Sequence, residues 1–225
     1  MEDFNWLQLL NPEFYILLEF GGIKIGLFVV LFIIFAETGL LAGFFLPGDS
    51  LLFLAGIYSE TLMSQVSLGS DFLNVTVFAL LVSLMGILGN MAGYWVGAKS
   101  GNYLFNKEDS FFFKKKYLYQ SKAFFEKYGN RAIVFARFLP IVRTFAPVIA
   151  GIVSMDKKKF MFYNILGSAL WSFSMIFAGH YFYAFFLDKF GIDLKHYIEY
   201  IVIGIVAVTT LPVLWKILKK RVHIE

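Results

Sequence analysis

Hydrophobic and polar positions alternate in long blocks along this chain. Residues 72–98 and 160–187 carry no Asp, Glu, Lys or Arg, and residues 200–215 carry none before Lys216. A membrane-spanning helix needs about 20 apolar residues. The pattern therefore predicts ordinary spans over 72–98, 160–187 and roughly 197–218. Two further apolar blocks are interrupted. In residues 37–56, ETGLLAGFFLPGDSLLFLAG, Pro47 and Gly48 sit in the middle. In residues 135–151, FARFLPIVRTFAPVIAG, Pro140 and Pro147 intervene. Proline removes a helix hydrogen bond and crowds the preceding turn, so both blocks are expected to be broken helices.

The basic residues set an orientation. Eight Lys and Arg fall within 99–131, and Lys157, Lys158 and Lys159 follow the second broken block. Lys and Arg mark cytoplasmic loops. With both flanks basic, residues 132–153 are expected to dip into the membrane and return to the cytoplasm. The tail with Lys216, Lys219, Lys220 and Arg221 is expected on the same side. Residues 60–71 contain no Lys or Arg, and residues 1–24 only Lys24, so both are expected outside. Residues 25–58 then form a second hairpin of opposite orientation. A full span over 14–36, with the N-terminus inside, is the alternative.

Short echoes support an inverted repeat. Gly43-Phe44-Phe45-Leu46-Pro47 parallels Ala136-Arg137-Phe138-Leu139-Pro140, and Ala55-Gly56-Ile57 parallels Ala150-Gly151-Ile152. A surface helix, at about 4–20 and about 110–129, precedes each hairpin; the second mixes aromatics with lysines, as interfacial helices do. The expected fold is an all-α membrane protein. It is an inverted repeat of two re-entrant helical hairpins, with about three transmembrane helices and interfacial amphipathic helices. Repeat 1 covers about 4–98, repeat 2 about 103–187, and a C-terminal helix about 197–218, in one domain. Opposed repeats with broken helices are the architecture of secondary transporters.

Composition sharpens this picture. Of 225 residues, 59% are apolar and 16% charged, with 28 Phe and a mean hydropathy of +0.69. That excludes a soluble enzyme, a disordered chain and a nucleic-acid module. There is no cysteine, so disulfides and thiolate chemistry are excluded. His180, His196 and His223 share no metal-ligand spacing, and no metal or other cofactor is expected. The net charge of +4 suits loops on an anionic leaflet. The start, MEDFNW, has no basic n-region, and no cleaved signal is expected. HExxH, GxSxG and P-loop motifs are absent, so no enzyme activity and no ATP-driven pumping are expected.

Four charges lie inside the interrupted blocks: Glu37, Asp49, Arg137 and Arg143. Each costs about 2.5–3.5 kcal/mol at a helix centre, so each must be paired, solvated or used. One reading is a structural salt bridge between the repeats. Another is a titrating cavity for an anionic headgroup. Arg137 and Arg143 are six apart, about 120° on an unbroken helix. A break at Pro140 lets both guanidiniums aim at one point. Their planar forks suit phosphate. Burial raises a carboxylate's proton affinity and nearby arginines lower it, so Glu37 and Asp49 are candidates for proton coupling. Gly86, Gly89, Gly93, Gly97 and Gly101 form a smooth stripe for close helix packing. Asn90 and Asn164 are expected to hydrogen-bond between helices. His180, next to Tyr181, is expected at the membrane interface, with a proton relay as the alternative.

These residues resemble the DedA family, also called the SNARE-associated Golgi or VTT-domain family. The resemblance rests on Glu37-Thr38-Gly39, Phe45-Leu46-Pro47-Gly48-Asp49-Ser50, Gly89-Asn90, Gly93-Tyr94 and Gly97. It continues through Phe135, Arg137, Phe138, Pro140, Arg143, Thr144, Ala150-Gly151, Asn164, Gly167 and Leu170-Trp171. It covers roughly residues 15–210. It implies a bacterial cytoplasmic-membrane lipid transporter, dependent on the proton motive force. Undecaprenyl phosphate or a phospholipid such as phosphatidylethanolamine is the implied cargo. The resemblance associates the acidic pair with proton coupling and the arginine pair with essential function. A proton/monovalent-cation antiporter and a non-transporting scaffold remain alternatives. Lipid and protons are the expected partners, nucleic acid is not, and a homo-oligomer is left open.

Overall fold

In the computed structural model the described residues are 12–39, 48–66, 68–106, 132–138, 140–198, 200, 201 and 204. Helix dominates them. α1 is Pro12–Ile16, α2 Gly26–Gly39, α3 Gly48–Ile57, α4 Ser59–Met63 and α5 Asp71–Asn106. α6 is Ala132–Ala136, α7 Pro140–Ile152 and α8 Lys157–Phe190, followed by a 3-10 turn at Leu194–Tyr197.

The expected spans over 72–98 and 160–187 are the cores of α5 and α8. Both are long and apolar enough to cross a membrane, over Asp71–Gly101 and Lys157–Phe190. Each keeps an outward apolar stripe. On α5, Leu80, Leu84, Leu88, Met91 and Trp95 recur every three or four residues and all are exposed. On α8, Phe162, Ile165, Leu166 and Leu170, at i, i+3, i+4 and i+8, are exposed as well. In water such a face would be unfavourable; against acyl chains it is the low-energy surface.

The chain forms two units. Among the described residues, one comprises those up to 30, those from 48 to 78 and those from 174 onward. The second comprises 31–39 and 79–173. In the first, α3 lies on α8: Gly56 abuts the Ile176 carbonyl, and Gly179 abuts the Phe53 carbonyl. In the second, α7 lies on α5. Gly97 meets the Val148 carbonyl, Gly151 meets Tyr94 and Ala98, and a methyl at Gly101 would come within 2.8 Å of the Ile152 carbonyl. The same α5 stripe receives α2, where a methyl at Gly39 would stand 2.9 Å from the Gly89 carbonyl. Glycine is required at these positions because backbone meets backbone.

Two expectations change. The surface helix at about 4–20 is helical only over Pro12–Ile16 among the described residues. It gives way to a two-stranded antiparallel ribbon that pairs Glu19 with Lys24 and Phe20 with Ile23. Gly21 and Gly22 turn it with φ of 59° and 81°, the left-handed pair that a tight hairpin demands. Pro147 is not a break: α7 runs through it. One lost backbone bond is tolerated there because the proline ring is buried and packed near Gly93, where a methyl would come within 3.4 Å of it. The expected breaks at Pro140 and Gly48 do fall at helix starts. Pro47, the surface helix at about 110–129 and most of the expected span at about 197–218 lie outside the described residues.

Candidate functional site

The second interrupted block supplies the arginines. α6 closes with two short-range bonds, from Arg137 N–H to the Val134 carbonyl at 3.2 Å and from Phe138 N–H to the Phe135 carbonyl at 3.2 Å. α7 restarts at Pro140, whose fixed φ and missing N–H suit a first helical position. Arg137 therefore sits in the turn before the break, and Arg143 at the beginning of the new helix. On α7, Arg143, Ala146, Pro147, Ala150 and Gly151 form the buried face, while Val142 and Phe145 are exposed.

The break brings both guanidiniums to one side chain. Arg137 lies 5.4 Å and Arg143 5.0 Å from the Trp171 ring centre. Trp171 is only 1% exposed. Its π face offsets part of the cost of two cations in an apolar setting. The two arginines then differ. Arg143 Nη2 donates to Glu37 Oε1 in a buried ion pair. Glu37 reaches it from the last turn of α2. Arg137 Nη2 donates instead to Ser168 Oγ and, at 3.5 Å, to Asn164 Oδ1. Its Nε and Nη1 have no hydrogen-bond partner among the described residues, although the side chain is buried.

A polar ladder on α8 holds Arg137. Asn164 receives a bond from Asn90 Nδ2 at 2.8 Å and from Ser168 Oγ at 3.3 Å, and donates to the Ile87 carbonyl at 3.1 Å. Gly86 clears the space for the guanidinium: a methyl there would stand 3.0 Å from Nη2. Asn90 and Asn164 thus bond between helices, as expected, and also serve the site. Ser168 and the clamp made by Trp171 carry no charge, so a search for charged positions passes over them. Their signal is spacing: Asn164, Ser168, Trp171 and Ser172 fall at i, i+4, i+7 and i+8, one face of a helix.

The four charges named from the sequence do not form one cluster within a unit. Glu37, Arg137 and Arg143 share the second unit. Asp49 belongs to the first, buried in the first turn of α3. Among the described residues no three His, Asp or Glu side chains gather as metal ligands would.

Comparison with known proteins fits this geometry. The chain matches the VTT domain over residues 46–181. It is 36% identical over 204 residues to the protein DedA of Escherichia coli (strain K12), covering 90% of this chain and 86% of that one. It is 42% identical over 185 residues to an uncharacterized membrane protein of Mycobacterium tuberculosis (strain CDC 1551 / Oshkosh), covering 82% and 75%. It is 35% identical over 150 residues to the inner membrane protein YghB of Escherichia coli (strain K12), covering 66% and 64%. No solved structure matches it. With the arginine turn, the glycine stripe and the Asn164 ladder all falling inside the matched segment, the chain belongs to the VTT-domain family of membrane proteins, the family of DedA.

Proposed function

We propose that this protein is a membrane lipid transporter, not an enzyme. It moves a lipid phosphate between leaflets with proton coupling, and undecaprenyl phosphate is the first candidate cargo. The observation that carries this reading is the Arg137 guanidinium. It is buried, oriented by Asn164 and Ser168, and left with two open donor positions. A buried cation with unmet donors is poised for an anion, and a phosphate oxygen satisfies a planar fork best.

Arg143 joins on a condition. While Glu37 is ionised it holds Arg143. A proton on Glu37 removes that hold, and two forks face the headgroup while the tail stays in the bilayer. Release of the proton re-forms the pair and weakens the grip on phosphate. In this scheme α2–α3 and α6–α7 are arms of opposed re-entrant hairpins, and Asp49 is the second proton-coupling carboxylate. The C-terminus lies on the cytoplasmic side of a bacterial cytoplasmic membrane. Exchange of a monovalent cation for protons is disfavoured, because Glu37 is engaged by a guanidinium and a second one lies on the same ring.

The test is leaflet exchange of undecaprenyl phosphate in proteoliposomes, for the parent, Arg137→Ala and Arg143→Ala, with and without a proton gradient. Arginine-dependent exchange that follows the gradient is expected. Exchange indifferent to the gradient makes the protein a scramblase. Exchange of phosphatidylethanolamine alone moves the cargo to phospholipids. An Arg137→Ala variant that works at the parent's rate overturns the headgroup role.

A further inference from the structure

The first unit contains a hydrogen-bonded chain that the lipid-phosphate reading does not use. Ser59 Oγ lies 2.9 Å from His180 Nδ1, and His180 Nε2 lies 2.9 Å from Asp71 Oδ2. Three helices contribute: Ser59 opens α4, Asp71 opens α5, and His180 sits well inside α8. Burial is graded along the chain. Ser59 is 0% exposed, the His180 side chain 9% and the Asp71 side chain 50%. His180 is thus an inward-facing bridge.

A Ser-His-Asp chain suggests a nucleophile, and burial argues against it. Ser59 is closed to any substrate, and its hydroxyl is committed to the imidazole. The chemistry points elsewhere. An ionised Asp71 only accepts, so Nε2 carries a proton toward it. Nδ1 then accepts from the Ser59 hydroxyl. If the ring gains a proton at Nδ1, that nitrogen becomes the donor, and Ser59 needs only to rotate its hydroxyl and accept. Both charge states keep both hydrogen bonds. The cationic state adds an ion pair with a carboxylate that water reaches. Neither ring nitrogen loses its partner in either state, which suits a group that loads and unloads a proton without disturbing the packing.

The surroundings do not compete for that proton. α3 packs on α8 through Gly56 and Gly179, and its one carboxylate, Asp49, lies in its first turn at the far end from Gly56. On α4, Glu60 follows Ser59 and is exposed. On α8, Tyr181 stands edge-on to the imidazole at 4.9 Å, and Tyr183 lies under the Lys195 ammonium at 4.8 Å. Asp188 and Lys189 are two turns further on. Asp71 is the one carboxylate hydrogen-bonded to the ring among the described residues.

We propose that Ser59, His180 and Asp71 form a proton-binding site at the α5 start, distinct from Glu37. Water delivers the proton past the half-exposed Asp71 carboxylate. His180 holds it as an imidazolium, with Asp71 as counter-ion and Ser59 as acceptor. The site does not depend on what the protein carries.

The test reads the charge on His180 directly. The full chain, with His196→Gln and His223→Gln, is labelled with 15N-histidine and placed in lipid nanodiscs. Imidazole nitrogen signals are followed from about pH 8 to about pH 5, the range in which histidine changes charge. The expected result is an Nε2–H neutral ring that converts to the cation within that range. Asp71→Asn should cut the cationic fraction at the parent's midpoint at least threefold, and Asp71→Glu should restore it. Ser59→Ala should leave the ring able to titrate while changing the Nδ1 shift. A ring that stays neutral at pH 5 overturns the proposal. So does a ring whose charge is the same in the parent and in Asp71→Asn. Leaflet exchange plays no part in this readout, so a failed lipid assignment leaves the result standing.

Discussion

In one unit, Gly97 of α5 lets the Val148 carbonyl of α7 approach; in the other, Gly56 of α3 approaches the Ile176 carbonyl of α8. The same device seats a short helix on a long one in both places. The polar chemistry laid over it differs. In the second unit the network around Arg137 is sealed: Glu37, Arg137, Arg143, Asn90, Asn164 and Ser168 are all nearly inaccessible. In the first, polar chains run outward, from Ser59 through His180 to Asp71 and from Tyr58 to Glu13. Glycine approach is therefore scaffold, common to both units. The buried Arg143–Glu37 ion pair is the specialised feature of the unit that holds the arginines.

The sharpest way to break this contrast is to remove one sealed charge. Glu37→Gln leaves Arg143 buried beside a weaker acceptor. The expected loss is about 3–5 kcal/mol in unfolding from mixed micelles, as for other broken buried pairs. Adding Arg143→Gln should recover much of it, since the uncompensated charge is gone. Asp71→Asn, at the exposed end of the other unit's chain, should cost about 1 kcal/mol or less. If Glu37→Gln and Asp71→Asn cost the same, burial does not separate the two units.

Next comes the shared device. Gly97→Leu and Gly56→Leu should each destabilise by about 1–3 kcal/mol, because a backbone carbonyl, not a movable side chain, occupies the space. The two losses should be similar, in the same unfolding assay, if the device is the same. A large asymmetry would show that one of these contacts is dispensable.

The sequence announces charge and backbone better than it announces the groups that cradle them. Glu37, Arg137 and Arg143 stand out because each is costly in an apolar block, and the structure brings these three together. The break before Pro140 is legible because the residue preceding a proline leaves the helix readily. The glycine stripe is legible from its spacing. Pro147 misleads, because proline shows only the bond it removes and not the ring packing that lets α7 continue. Trp171 stands out only through the family resemblance, with no hint of the two guanidiniums on its ring, and Ser168 is hidden among the many small residues of α8. Partner choice is not legible either. Glu37 selects Arg143 and not Arg137, because α2 and α7 both dock on the α5 stripe, and that geometry is not written in either segment alone.

The ladder under Arg137 gives a smaller effect on stability than on function. Asn164→Leu removes the bonds to Asn90, Ser168 and Arg137 together. Interhelical bonds of this kind are worth about 0.6–2 kcal/mol in membranes. Unfolding should shift by about 2 kcal/mol, while undecaprenyl phosphate exchange should fall at least tenfold, because the guanidinium loses its orientation. A proportional fall in both would make Asn164 structural only.

The smallest effect is expected at the outward-running chain on Tyr58. Its hydroxyl donates to Glu13, and its ring lies 5.0 Å from the Lys195 ammonium. Tyr58→Phe removes the donor and keeps the ring, so the cation contact and the packing of this buried side chain survive. Glu13 is only part-buried, and water can replace the lost donor. The cost should be about 1 kcal/mol, the net worth of an ordinary hydrogen bond. Tyr58→Leu removes the aromatic face as well and should cost measurably more, by about the 0.5–1 kcal/mol of a cation–π contact near water. Were Tyr58→Phe to cost as much as Glu37→Gln, the distinction between the sealed network around Arg137 and the outward-running chains would fail at its most exposed point.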